Sequence, residues 1–394
     1  MIYMKKKIGI ITMFYKSHNY GGLLQAYALP RFIRKMGFYS EQIQVDFTAK
    51  ILQNQKKVRK ITIKKVLKYL YRKLMVFYYK CYGFHQEATE GIKKRNVLVD
   101  KFADFVPHSE VIFNKENINS CTKYYDVFIT GSDQVWNLDW YESEYFLDFV
   151  QPGGCKLSYA ASMPNVEITE NQQETIRKHL QDFQGVSVRE QKTARYLSNL
   201  LGREVECVLD PTLLLGQEEW DEICSERKVT DKYIFCYFLG TDKEMRHETK
   251  IFAKKLGLKI VTLPHLTKVT NSDFKFADYN VYEASPGDFI SLIKHAEYVI
   301  TDSFHACVFA NIYSVKYFVF SRKGIGEMDE RVITLLDIFN SEKRFCKEEK
   351  DYMYNLRNLP ANKDFTKLKV MQEKSRKFLL NNLEKVGLER INEN

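Results

Sequence analysis

The stretch YVITDSFHACVFA, residues 298–310, passes from an apolar run through a polar turn into a second apolar run. Tyr298–Thr301 reads as a buried strand of the parallel type, which carries apolar side chains on both faces. Asp302 or Ser303 is the N-cap of the helix that follows, Phe304–Ile312. His305 then lies in the first turn, beside backbone N–H groups that have no intrahelical partner, a place suited to an anion. Strand, polar turn and helix make one βα unit, and the same alternation recurs along the chain.

Around this unit, Tyr233–Leu239, Lys259–Leu263 and Tyr317–Phe320 read as strands, with helices over Lys243–Leu256 and Pro286–His295. An earlier series begins with strand Ile8–Phe14, loop Tyr15–Tyr20 and helix Gly21–Met36, stopped by Gly37 before strand Gln42–Phe47. Pro30 predicts a kink or an early end to that helix. Asp126–Thr130, Leu157–Ala161, Gly185–Val188 and Val205–Leu209 read as further strands. The expected fold is α/β: two Rossmann-like domains, each a parallel sheet covered by helices, facing a central cleft. Length agrees, since 394 residues exceed one compact core. We place the first domain at 1–215, with a basic helical insertion at about 50–110, the second at 216–345, and a helical tail at 346–394. The cleft is the expected site.

The net charge of +10 is local. Residues 50–80 hold eleven Lys or Arg and no acid, leaving 49 basic against 50 acidic residues elsewhere. Within that run Ile63, Val66, Leu67, Leu70, Leu74 and Phe77 follow helical spacing, while Lys64, Lys68 and Arg72 recur on another face. Two readings stand: a helix packed on its own domain with a solvated lysine face, or a helix docked on an anionic membrane surface. No nucleic-acid motif accompanies the charge, so no nucleic-acid partner is expected. Eight cysteines are scattered without a C-x-x-C pair, as buried thiols in a reducing compartment would be. The apolar run near the start is seven residues long, closed by Lys16, and reads as a core strand rather than a targeting segment. No run approaches a membrane span, and a cytoplasmic protein is expected. No metal is expected either, because the eight histidines show no H-x-x-x-H or Cys/His pairing.

Three segments share one geometry: NYGGLLQAYAL (19–29), TGSDQVWN (130–137) and TDSFHACVFA (301–310) each run from the end of a strand into a polar turn and then a helix. All three should face the cleft. Gly21 and Gly22 either make a tight turn or let a ligand or the opposite domain approach their backbone. Asp133, Trp136 and Asn137 combine a carboxylate, a stacking face and an amide, which suits sugar hydroxyls; the plainer alternative is a capping residue followed by a core tryptophan.

Read together, these segments resemble the polysaccharide pyruvyl transferase family. NYGGLLQAYAL is similar to its first loop and helix, YDVFITGSDQVWN to its sugar-side motif, SVRE (187–190) with VLDPTLL (208–214) to its mid-chain signature, and SPGDFISLIKHAEYVITDSFHACVFA to its C-terminal block. The resemblance covers roughly residues 6–340. It implies a two-domain GT-B-like fold, phosphoenolpyruvate as donor substrate with no further cofactor, and transfer of pyruvate as a cyclic ketal onto two hydroxyls of a sugar in capsule or exopolysaccharide synthesis. His305 matches the histidine to which the family assigns general-acid work, and Arg189 an arginine that contacts the donor.

A histidine can deliver a proton near neutral pH, and a helix N-terminus can hold a phosphate. On this basis His305 and Asp133 are the catalytic candidates, Asp133 either as base or as an acceptor that orients the hydroxyl. Arg189, Ser303, Phe304, Arg322 and Arg331 are assigned to the donor side, and Asn19, Tyr20, Gly21, Gly22, Ser132, Trp136 and Asn137 to the acceptor side. The chain departs from the family's R-x-H pattern, carrying Ser303 two residues before the histidine. Either Ser303 and the helix N–H groups take the phosphate without that charge, or Arg322 or Arg331 replaces it. Asp302 is read as a cap and Asp210 as a strand terminator near the inter-domain hinge. A lipid-linked oligosaccharide at the inner membrane face would give the basic helix a purpose. The competing functions are a GT-B glycosyltransferase with a nucleotide-sugar donor and a non-catalytic scaffold of polysaccharide assembly.

Overall fold

The computed structural model describes residues 6–47, 84–138, 142–163, 168–265, 269–322, 329–346 and 365–388. The basic run at 50–80 lies outside them.

Two open, fully parallel sheets organise the chain. The first is built from β1 (Ile8–Ile11), β2 (Ser40–Asp46), β3 (His108–Asn114), β4 (Val127–Thr130) and β5 (Cys155–Ser158), in the order β3-β2-β1-β4-β5. A small pair, β6 (Ser187–Val188) and β7 (Glu206–Cys207), continues beyond it. The second sheet comprises β8 (Tyr233–Tyr237), β9 (Lys259–Thr262), β10 (Tyr279–Asn280), β11 (Tyr298–Thr301), β12 (Lys316–Phe320) and β13 (Phe345–Cys346), in the order β10-β9-β8-β11-β12-β13. Both orders reverse at the centre, between β1 and β4 and between β8 and β11, so each domain is Rossmann-like and each has its crevice at that reversal. The central strands IGII, VFIT and YIFCY are buried along their whole length, because helices cover both faces.

The helix Tyr20–Lys35 does not stop at Pro30. Proline cannot donate to the carbonyl four residues earlier. Here Gln42 of β2 donates its Nε2–H to the carbonyl of Ala26 at 2.9 Å, and the Ser40 hydroxyl bonds the carbonyl of Pro30 at 2.9 Å. The neighbouring strand thereby supplies the missing donor, and the helix continues for another turn.

The span read as a helical insertion includes a helix, Phe84–Ala103, and the edge strand β3, whose Val99, Phe102 and Val106 neighbours lie in the main core. The tail helix Thr366–Lys385 packs on the first domain: Phe378 meets the ring of Tyr159, Ser375 Oγ accepts from Leu209 N at 3.0 Å, and Gln372 donates to the carbonyl of Leu213 at 2.9 Å. One core cluster runs through both domains. Trp220 joins them, edge-on to Phe309 on one side and tilted against Tyr27 on the other. Ion pairs Arg31–Glu222, Lys35–Glu219 and Lys94–Glu283 close the rim. No helix among the described residues is long and apolar enough to cross a membrane.

Candidate active site

The C-terminal ends of the central strands of both sheets converge on one cluster of buried charges. From β4 the chain enters a turn, not the helix expected from the sequence. Gly131 sits at φ +130°, where a Cβ would meet the carbonyl of Tyr159, and Asp133 and Gln134 follow at φ 29° and 59°. These are costly positions for residues with side chains, and the surrounding bonds hold them. Ser132 N–H donates to Gln25 Oε1 at 3.1 Å and its hydroxyl to the carbonyl of Ala160 at 2.8 Å.

Arg189, just past β6, is the hub. Its three nitrogens face three carboxylates: Nη1 to Asp210 at 2.7 Å, Nη2 to Asp133 at 3.1 Å and Nε to Glu190 at 3.3 Å. Its Cζ lies over the ring of Phe304, 4.8 Å from the ring centroid. Burial works against the guanidinium charge, but Asp133, Asp210 and Glu190 outweigh it and hold Arg189 protonated more firmly than usual. Every nitrogen of this arginine is engaged.

Asp210 divides its two oxygens. Oδ1 caps the turn that follows, accepting from Thr212 N at 3.0 Å and Thr212 Oγ1 at 2.6 Å. Oδ2 takes Arg189, lies 3.5 Å from the Ser132 hydroxyl, and faces His305 Nε2 at 3.6 Å. Burial would push this carboxyl up, but His305, Arg189 and the bond from Thr212 hold it well below the ordinary carboxylate range. Asp133 is likewise held low: the charges of Arg189, His305 and Arg331 overcome its burial and the repulsion of Asp210. Glu190 goes the other way, raised by burial despite Arg189 and a short bond from the Ser162 hydroxyl.

His305 enters from the second domain at the start of helix Phe304–Ile312. Its ring rests on the Cα of Gly21, so closely that a Cβ there would stand 2.0 Å from Nδ1. Nε2 is buried without a hydrogen-bond partner among the described residues. Arg331 brings a second cation. It is buried, its Nη1 lies 3.7 Å from Asp133 Oδ1, and its Nε has no hydrogen-bond partner among the described residues. Burial and the neighbouring charge of Arg189, opposed by Asp133, push its guanidinium down to about 10.

The structure thus gathers His305, Asp133, Arg189, Phe304, Ser132 and Arg331, all named from the sequence. Other expectations are corrected. Trp136 is a core residue, 1% exposed, stacked on Phe146 with its indole N–H bonded to the carbonyl of Tyr145; it offers no face to a sugar. Tyr20 is fully buried, stacked on Phe289, and donates its hydroxyl to the carbonyl of Ala284, so it joins the domains instead of meeting a ligand. Asn19 caps helix Tyr20–Lys35, and Gly21 serves the close approach of the opposite domain. Gly22 has room for a Cβ, 3.6 Å from Asp133 Oδ2, and Asn137 donates to Gln134 Oε1 at 3.0 Å. Ser303, not Asp302, is the cap of helix Phe304–Ile312. Asp302 instead accepts from Leu239 N and Gly240 N at 2.7 Å each and faces Arg322, tying β8 to β11.

Asp210 and Glu190 were not singled out as site residues. Both stand inside the quoted SVRE and VLDPTLL motifs, at strand ends of the same kind as Asp133, and that placement was the available signal.

The charge network fixes a stability profile. Asp133 and Asp210 have depressed folded values, so their contribution is present above the unfolded carboxylate value of about 3.9 and is lost as pH falls below it. Glu190, raised, contributes in the opposite sense. We expect the urea midpoint of Asp210→Asn to fall less steeply below pH 4 than that of the unaltered protein; parallel curves would contradict this.

Comparison with known proteins agrees with this architecture. The chain aligns along nearly all its length with a Listeria monocytogenes protein described as a UDP-N-acetylglucosamine 2-epimerase, at 10% identity and TM-score 0.52, covering 99% of each chain. The UDP-GlcNAc 2-epimerase of Methanocaldococcus jannaschii aligns at 11% identity and TM-score 0.50, over 95% of this chain and all of that one. At such identities the likeness is one of fold, two Rossmann-like domains in the GT-B-like arrangement. No curated protein matches the chain in sequence. The family model for polysaccharide pyruvyl transferase matches residues 19–324, which contain β4, β8 and β11 and His305, Asp133, Arg189 and Asp210. The chain belongs to the polysaccharide pyruvyl transferase family.

Proposed function

We propose that this chain transfers pyruvate from phosphoenolpyruvate to two hydroxyls of a sugar, closing a cyclic ketal and releasing phosphate. One observation carries the reading beyond family membership: a buried histidine, His305, and an under-paired buried arginine, Arg331, whose Cζ is 5.8 Å from the centroid of the Phe304 ring, stand at the start of helix Phe304–Ile312. A donor with a carboxylate and a phosphate supplies an anion for the unpartnered Arg331 Nε and for the first N–H groups of that helix.

The chemistry is assigned as follows. Protonated His305 gives its proton to the methylene carbon of the enol, and the electron pair of the double bond forms the new C–H bond. A sugar hydroxyl attacks the adjacent carbon, and its proton passes to Asp133 or back to the histidine. The bond from that carbon to the phosphate oxygen then breaks, and a second hydroxyl closes the ketal. Of the two hydroxyl protons, one replaces the proton given to carbon and the other leaves with phosphate. Arg331 and the first N–H groups of helix Phe304–Ile312 hold the donor's anions. Arg189, committed to three carboxylates, acts by holding Asp133 and Asp210 in place and by stacking on Phe304.

A donor screen tests the reading. Phosphoenolpyruvate at about 100 times its Kd should stabilise the protein by roughly 2.7 kcal/mol, seen as a rise in Tm. A response to nucleotide sugars and none to phosphoenolpyruvate would favour the glycosyltransferase function, and silence toward every donor the scaffold.

We also propose that the protein works in the cytoplasm at the inner membrane face, on a lipid-linked acceptor. The eleven cations and missing acids of residues 50–80 support this. It should sediment with anionic vesicles at low salt and be released by salt; failure to bind them would remove the membrane from the proposal.

A further inference from the structure

We infer that Asp210 and the bare Cα of Gly21 are positioning groups for His305, so that the first domain sets the orientation of the second domain's acid; this rests on the reading of His305 given above. Three observations meet here. Asp210 Oδ2 is aimed at His305 Nε2 at 3.6 Å, with Asp210 wholly buried and its other oxygen tied to Thr212. Nε2 is buried and has no other partner among the described residues, so the carboxylate is the group that can receive its N–H. The face of the ring at Nδ1 lies on Gly21, where any side chain would displace it.

The geometry orders the ring's two nitrogens. With Nε2–H turned to the Asp210 carboxylate, Nδ1 is the nitrogen left to give and regain the reacting proton. Asp210 is therefore not a base for the sugar, a role assigned to Asp133. It is held by Arg189 Nη1 at 2.7 Å and by its own turn, which makes it a fixed reference for the ring. His305 and Asp210 belong to opposite domains, so the pair forms only when the domains meet as they do here.

A kinetic double-mutant cycle tests this, following phosphate release from phosphoenolpyruvate. Asp210→Asn keeps the cap to Thr212 and should lower kcat roughly 10- to 100-fold with little change in KM for phosphoenolpyruvate. In a His305→Ala background it should have no further effect. Gly21→Ala drives a Cβ into the ring and should lower kcat, and in a His305→Ala background, where no ring is displaced, it should have no further effect. Full, additive effects of Asp210→Asn in the His305→Ala background would overturn the inference, as would a Gly21→Ala variant with unchanged kcat. A 15N spectrum of histidine-labelled protein, with the His305 signal identified by its loss in His305→Ala, gives a readout without turnover. We expect one tautomer, protonated at Nε2, in the unaltered protein and a mixture in Asp210→Asn. Identical spectra would overturn the inference. If His305→Ala turned over at full rate, the general-acid assignment would fail, and the spectrum would still decide whether Asp210 sets the ring.

Discussion

Replacing His305 with alanine is expected to lower kcat by about 10²- to 10⁴-fold, the usual contribution of a positioned general acid, while leaving the fold intact. The ring is buried, but it fills no core position: it sits on a glycine at the junction of the domains, and its Nε2 is unpaired apart from the approach of Asp210. Losing it removes little packing and relieves an unsatisfied polar atom, so Tm should change little. Protonating a carbon needs a positioned acid; Glu190, raised by burial, is the other such group in the cluster, but its Oε1 is held by Arg189 and the Ser162 hydroxyl. Asp133 and Asp210 are held ionised, and Arg189 is held protonated by three carboxylates. A His305→Ala enzyme with near-normal kcat would show that the proton comes from elsewhere.

Arg331→Met should raise the KM for phosphoenolpyruvate by about 30-fold or more, corresponding to the roughly 2–5 kcal/mol measured when one partner of a buried charge pair is truncated. The same variant should not lose stability. Arg331 is a desolvated cation whose guanidinium is pushed down to about 10, with Asp133 Oδ1 no nearer than 3.7 Å and its Nε unpartnered among the described residues. A buried charge that is poorly paired costs the fold, and an apolar replacement of similar volume is neutral or favourable. A rise in KM with an unchanged or higher Tm marks a residue kept for its ligand. An unchanged KM with a fall in Tm would make Arg331 a structural counter-ion of Asp133 instead. The experiment also bears on Ser303: its oxygen accepts from Ala306 N as the helix cap, and its O–H remains able to donate to the donor's phosphate beside Arg331.

Most of the scaffold was legible in the sequence, because buried parallel strands are short apolar runs and their helices begin at recognisable caps. Tyr298–Thr301, Phe304–Ile312 and Lys243–Leu256 fall where the pattern puts them. Pro30 misled for a specific reason: the donor that rescues the helix comes from Gln42, on another strand. The Asp133 turn looked like a helix start because an N-cap and a left-handed turn draw on the same residues, and only the packing against Tyr159 and Ala160 separates them.

The site was legible in part. His305, Asp133 and Arg189 could be named because each stands at a strand end in a motif shared with the family. Trp136 and Tyr20 were assigned to a ligand because aromatic rings serve core and sugar equally well, and burial is decided by partners such as Phe146 and Phe289 that lie far along the chain. Asp210 was passed over because Asp-Pro is a sufficient capping signal by itself. The residue does cap its turn, with one oxygen, and its second role through the other oxygen leaves no trace in local pattern.

The most direct test of the central claim is to incubate the protein with phosphoenolpyruvate and galactose- or mannosamine-type acceptors, measuring phosphate release and product mass together. We expect acceptor-dependent phosphate release matched by a product heavier by pyruvate less water. Transfer of a glycosyl group from a nucleotide sugar under the same conditions, with phosphoenolpyruvate left intact, would contradict it.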